Sequence, residues 1–278
     1  KTAPEFDIVD NSGYSLEEHD GAYYTNSSNL SIKWQIPSSD YIAKIDEAKI
    51  VISGDINKTI SPADITGDKT AGGTRSFEID VSSILSAMFN NSDYKPSITI
   101  TMQFEGHNGN IYSTTSKTIY FDITAPHENI LSLMGNVEQS ARLQGAFSSL
   151  DANTLHSLTR EYFDYNGNST SFNQSTSGNG VSYSYVKSTG TLKYYYYVVN
   201  SQFVNNLTVD EDNYGVKYIG LKEVGSLESY TPVDKNSFNE SKYTELSNLS
   251  VNNNSIYEVV ERDWAGNMTA YLIKVVDV

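Results

Sequence analysis

The chain has 278 residues, more than one domain of typical size and enough for two that each bury a core. Its net charge of −15, with 19% charged residues, gives an acidic surface that argues against nucleic acid or an anionic bilayer as partner. There is no cysteine and no run of 18 apolar residues, so disulfide chemistry and membrane insertion by a helix are both excluded.

Ser, Thr, Asn and Gly dominate the polar fraction, and 21 tyrosines are present. Aromatic and β-branched residues suit half-buried strands, so the expected class is all-β. After Thr2-Ala3-Pro4, Phe6 and Ile8 mark a first strand. Leu30, Ile32, Trp34 and Ile36 then alternate with Ser31, Lys33 and Gln35. Ile50 and Ile52 mark a weaker strand before Gly54. Phe77, Ile79 and Val81 alternate with Glu78 and Asp80, and 82–89, free of Gly and Pro, predicts a short helical turn. Ile98, Ile100, Met102 and Phe104 form another apolar row, and Ile119, Phe121 and Ile123 the last. A period of two places one face of each strand in a core, and about seven such strands separated by Gly, Asn, Asp and Ser predict two packed sheets. Trp34, in an inward row, is expected in that core.

Thr124-Ala125-Pro126 repeats the opening tripeptide, and the final Val275-Val276-Asp277-Val278 matches the stretch Tyr120–Ile123 before the second Thr-Ala-Pro. Gly109-Asn110 and Gly266-Asn267 occupy similar places ahead of the two closing strands. The chain therefore reads as two related modules, 1–123 and 124–278, starting and stopping at module junctions. In the second, Val181/Tyr183/Tyr185, Leu192/Tyr194/Tyr196/Val198 and Tyr257/Val259 predict strands. Leu143, Phe147 and Leu150, then Leu155, Leu158 and Tyr162, follow helical spacing, so 137–180 is expected to hold a short helical insertion followed by a polar loop.

The Thr-Ala-Pro junctions, Tyr23-Tyr24 ahead of the strand Leu30–Ile36, and Tyr257 through Asp263-Trp264-Ala265-Gly266-Asn267 together resemble bacterial immunoglobulin-like domains of secreted and cell-surface proteins. The resemblance covers the ends of each module, while Gly106-His107-Asn108-Gly109-Asn110 departs from the full turn motif. It implies two tandem immunoglobulin-like β-sandwich modules that build rod-like arrays, with neighbouring modules of the same polypeptide as partners and an extracellular location. In the turn, Gly266 is suited to positive φ, and Asp263 and Asn267 to bonding nearby backbone groups.

Nucleophile, phosphate-loop and zinc motifs are missing, so no catalytic residue is nominated and the chain is not expected to be an enzyme. Four features remain as candidate chemistry. Asp210, Asp212 and Asn213, within Asp210-Glu211-Asp212-Asn213-Tyr214-Gly215, gather hard oxygen ligands for calcium, or form an acidic hairpin loop. Tyr195 and Tyr197, in a run of four tyrosines, offer faces for stacking on sugar or protein, or are buried on both sides of the sheet. Trp264 either touches a ligand or packs at the module end. A Lys–Asn isopeptide crosslink would need a buried lysine, with Lys33 and Lys193 on expected strands. The expected function is a structural or adhesive spacer. The alternative is a carbohydrate-binding accessory unit of an extracellular glycoside hydrolase. No cofactor other than calcium is expected.

Overall fold

The computed structural model describes residues 4–36, 47–105, 111–128, 162–163, 169–170, 182–188, 191–199, 201–207, 209–210, 213–225, 230, 233 and 238–275. The chain divides into two compact units, Lys1–Ile123 with Trp264–Gly266, and Thr124–Asp263 with Asn267–Val278.

The first unit opens with β1 (Phe6–Val9), the short β2 (Glu18–His19), β3 (Ala22–Thr25) and β4 (Asn29–Gln35). It continues with β5 (Glu47–Gly54), β6 (Lys58–Ile60), β7 (Thr66–Gly67) and β8 (Thr74–Asp80). After α1 (Ser82–Asn90), β9 (Ser97–Glu105) and β10 (Ile111–Phe121) complete it. One sheet runs β1-β4-β8-β7 and the other β2-β3-β10-β9-β5-β6. All pairings are antiparallel except that of β3 with β10, which is parallel and sets Tyr23 opposite Ile119 and Thr25 opposite Phe121. This is the two-sheet order of an immunoglobulin-like sandwich, in which the early strands are shared between the sheets.

The alternating rows produce this arrangement because each strand has one apolar face to hide. Phe6, Ile8, Leu30, Ile32, Phe77 and Ile79 from the first sheet meet Ile50, Ile52, Ile98, Ile100, Met102, Phe104, Ile119 and Phe121 from the second in one buried cluster. Each such side chain contributes about 1.5–3 kcal/mol on leaving water. Trp34 lies in this core as expected, 6.2 Å from Phe77 and 6.3 Å from Phe104 between ring centroids. The expected helical turn is α1, which buries Ile84 and Met88 one turn apart. Asp80 Oδ1 accepts the Ser82 N–H at 2.9 Å, satisfying a donor at the helix start. Lys33 is exposed, which does not meet the requirement for an isopeptide lysine.

The second unit begins with β11 (His127–Glu128), β12 (Tyr162–Phe163), β13 (Ser169–Thr170), β14 (Ser182–Ser188) and β15 (Thr191–Val199). A short helix α2 (Ser201–Asn205) precedes β16 (Val209–Asp210), β17 (Val216–Glu223), β18 (Thr244–Glu245), β19 (Ile256–Asp263) and β20 (Met268–Val275). Its six-stranded sheet runs β14-β15-β20-β19-β17-β18 and repeats the order of the first unit strand for strand. β15 again pairs in parallel with the last strand, Tyr197 beside Ile273 and Val199 beside Val275. β11 pairs with β16 as β1 pairs with β4. Among the described residues both units are thus nearly all-β, and their six-stranded sheets share one immunoglobulin-like strand order. Of the helical and loop insertion expected over 137–180, most lies outside the described residues, and the described part differs from expectation: Tyr162–Phe163, read as the end of the helical spacing, pairs as a short strand with Ser169–Thr170.

The two sheets bury their strands differently. β19 is buried on both faces from Tyr257 to Glu261, and β20 buries Tyr271, Leu272 and Ile273 in succession. A strand covered on both sides loses its alternation, which is why this unit is less regular in sequence.

Candidate functional site

Polar chemistry in the described part of the second unit gathers on β19, whose sequence Ile256-Tyr257-Glu258-Val259-Val260-Glu261-Arg262-Asp263 carries three carboxylates, each at most 1% exposed. A carboxylate at that depth is tolerated only when several donors replace its water. Register puts Glu258 between Lys222 on β17 and Leu272 on β20. The Lys222 ammonium lies 3.4 Å from Glu258 Oε1, to which the Tyr243 hydroxyl also donates. The Tyr230 hydroxyl donates to Oε2, and the Val233 N–H stands 3.4 Å from the same oxygen.

Tyr230, Val233 and Tyr243 come from the crossover between β17 and β19 rather than from the sheet's long strands. Glu258 therefore fastens that crossover to the sheet. Aromatic packing extends the clasp. Phe238 stands 5.3 Å from Tyr243 and 6.1 Å from Tyr218, and the Arg262 guanidinium lies 5.7 Å from the Phe238 ring. The Lys222 ammonium is 5.0 Å from the centroid of Tyr243. Gly220 makes room for Tyr218, since a Cβ there would stand 2.2 Å from the Tyr218 hydroxyl.

The phenols are donors at any physiological pH. Desolvation, followed by its bond to Glu258, pushes the Tyr243 hydroxyl far above its usual range. Tyr218 is pushed up to about 12, first by desolvation and then by the negative charges of Glu240 and Glu245. The other two acids of β19 are tied in the same way. Tyr271 donates its hydroxyl to Glu261 Oε1 at 2.8 Å. Asp263 accepts the Asn267 N–H at 2.7 Å through Oδ1 and the Asn267 side-chain amide at 2.8 Å through Oδ2. Gly266 between them has φ +88°, so the turn closes by the chemistry read from its sequence. These carboxylates act as acceptors that join strand to strand and loop to sheet.

The residues nominated from sequence fall at separate places. Tyr195 and Tyr197 lie on β15, opposite Tyr185 and Tyr183 of β14, in a strand flanked by others on both sides. Trp264 occupies the β19–β20 turn and is half-buried. Ile273, the register partner of Tyr197, is five residues along β20 from Met268 at that turn, a span of about 17 Å at the rise of an extended strand. Asp210 ends β16 opposite His127, Asn213 is exposed, and Asp212 lies outside the described residues. Among the described residues, no three His, Asp or Glu side chains are grouped to hold a metal ion.

Sequence reasoning missed Glu258 and its partners. The available signal was an acid at the centre of an otherwise Tyr- and Val-rich strand, where a polar residue signals either an outer face or a satisfied interior one.

No family model matches the sequence, and no curated protein matches it. Among solved structures, the chain is similar to fibronectin(III)-like modules of CbhA from Clostridium thermocellum at 10% identity and a TM-score of 0.33, over 97% of this chain and 94% of that one. It is also similar to the N-terminal Ig1-2 module of the Drosophila receptor protein tyrosine phosphatase DLAR at 10% identity and a TM-score of 0.22, over 99% of each chain. Likenesses this distant establish neither a family nor an activity.

Proposed function

We propose that the chain is a pair of non-catalytic spacer modules within a large bacterial cell-surface or secreted protein, joined end to end with neighbouring modules of the same polypeptide. One observation carries the reading. In each unit an early strand of the six-stranded sheet pairs in parallel with the last, β3 with β10 and β15 with β20. When two parallel neighbours are drawn apart from opposite ends, their hydrogen bonds are loaded in shear and must break together. That geometry suits a module held under tension between its ends. The Thr-Ala-Pro junctions and the absence of cysteine support the extracellular setting.

The test is to apply the full chain to glycan arrays and to stretch it from its termini in a single-molecule instrument. A spacer binds no glycan and gives two separate unfolding steps at high force. Saturable glycan binding, lost in Tyr195→Ala or Tyr197→Ala at unchanged stability, would replace this reading with a carbohydrate-binding one.

A further inference from the structure

Both units send a side-chain donor from the last strand to the backbone carbonyl where the chain enters the unit. In the first, Lys117 of β10 donates to the Phe6 carbonyl oxygen at 2.5 Å across 111 residues of chain. In the second, Thr269 of β20 donates through Oγ1 to the Pro126 carbonyl oxygen at 2.5 Å across 143 residues. Both acceptors lie where the chain enters its unit, Phe6 two residues beyond the first Thr-Ala-Pro and Pro126 at the proline of the second. The donors differ in chemistry, an ammonium in one and a hydroxyl in the other, and in place, Lys117 lying two residues before Ile119 and Thr269 four before Ile273. What the units share is a tie from the last strand to the entry rather than one exact position.

Lys117 does more than close one bond. Its side chain is only 15% exposed, its ammonium lies 4.8 Å from the Phe6 ring centroid and 5.2 Å from that of Tyr23, and Glu5 stands 4.0 Å away. Phe6 belongs to β1 in one sheet, while Tyr23 and Lys117 belong to the other. The cation therefore joins the entering strand, the parallel strand β3 and the exiting strand at one point between the sheets. A charge-assisted bond at partial burial is stronger than a neutral one on the surface.

We propose that Lys117 and Thr269 are tension ties, which bind the entry of each unit to its exit and set the rate at which that unit yields to end-to-end force. The inference rests on the spacer reading and adds the residues on which mechanical resistance depends. Without the tie, β1 or β11 peels from its neighbour before the parallel pair is loaded. With it, force entering at Phe6 or Pro126 is passed directly to β10 or β20.

The experiment is constant-force unfolding of the full chain held at its termini. The segments spanned by the two ties release about 380 and 490 Å at ~3.4 Å per residue, so the unfolding steps can be assigned to their units. Lys117→Met should speed yielding of the first unit about ten-fold and leave the second unchanged. Thr269→Val should speed the second about five-fold and leave the first unchanged, while Lys117→Arg, which keeps a cationic donor, should restore slow yielding.

The chain has no cysteine, so handles can also be placed crosswise on the first unit at exposed Asn57→Cys and Ser86→Cys. In that direction Lys117→Met should have no effect on the rate. Equal acceleration in both directions would show that Lys117 only supports general stability, and an unchanged rate for both ties under end-to-end force would likewise overturn the inference. A wild-type chain that yields as fast end to end as crosswise would instead defeat the spacer reading on which it rests.

Discussion

β9 and β19 hold the same place in the two six-stranded sheets, β9 between β10 and β5 and β19 between β20 and β17, yet they are built by opposite rules. In β9, Ile98, Ile100, Met102 and Phe104 are all 0% exposed, while the other face carries hydroxyls that pair across to β10. Thr99 meets Thr118 at 3.0 Å and Thr101 meets Ser116 at 2.9 Å on that outer face. In β19 every side chain from Tyr257 to Glu261 is buried, two of them carboxylates. The same topology therefore accepts either a one-faced apolar strand or a strand covered on both sides. The second needs an internal donor for each acid, because water no longer reaches it.

The sharpest way to break this contrast is a pair of truncations. Phe104→Ala should cost the first unit about 3–5 kcal/mol through lost burial and a residual cavity. Glu258→Ala should cost the second about 3–5 kcal/mol by a different route, stranding Lys222 and two tyrosine hydroxyls without their acceptor. Urea titrations of the full chain should show each variant moving its own transition alone. Glu258→Gln, which keeps an acceptor oxygen but removes the charge, should fall between wild type and Glu258→Ala.

A smaller effect is expected at Gly54, the end of β5. Its φ is +109°, and a Cβ there would stand 2.6 Å from the Ser97 carbonyl oxygen at the start of β9. Gly54→Ala should destabilise the first unit by about 1–3 kcal/mol, read as a lower urea midpoint. An unchanged midpoint would mean that the β5–β9 junction can shift without cost.

The gentlest probe is alkaline pH. Tyr218 and Tyr243 titrate higher in the folded chain than the unfolded value of about 10, so their contribution is fully present below pH 10. It declines as pH rises from about 10 through 12. Tyr24 and Tyr94 of the first unit are also raised, Tyr24 first by desolvation and Tyr94 first by its bond to Asp55. The second unit should weaken more steeply over this range when unfolding midpoints are compared at successive pH values, and Tyr243→Phe should reduce the slope.

The contrast also explains what could be read from sequence. Rows such as Ile98-Ile100-Met102-Phe104 announce their own inner face, because alternation is a local property of the chain. The Asp263–Asn267 turn was legible for the same reason: acceptor, glycine and donor lie within five residues. β17 escaped notice because Gly220 interrupts it, and the reason for that glycine is the neighbouring Tyr218 ring. Glu258 reads as an outward residue until Tyr243 and Tyr230 arrive from 15 and 28 residues away. Lys117 meets its carbonyl across 111 residues, a pairing that only the completed fold creates. The nominated groups Tyr195 with Tyr197, Trp264, and Asp210 with Asn213 were each chosen by residue type. Type alone does not bring them together: the tyrosines lie on β15, Trp264 in the β19–β20 turn and Asp210 in the separate β11-β16 pair.

Differential scanning calorimetry of the full chain and of its Phe104→Ala and Glu258→Ala variants tests most directly whether two separately built cores share one strand plan. The account predicts two transitions, with Phe104→Ala lowering one and Glu258→Ala lowering the other. A single transition that both variants lower equally would contradict it.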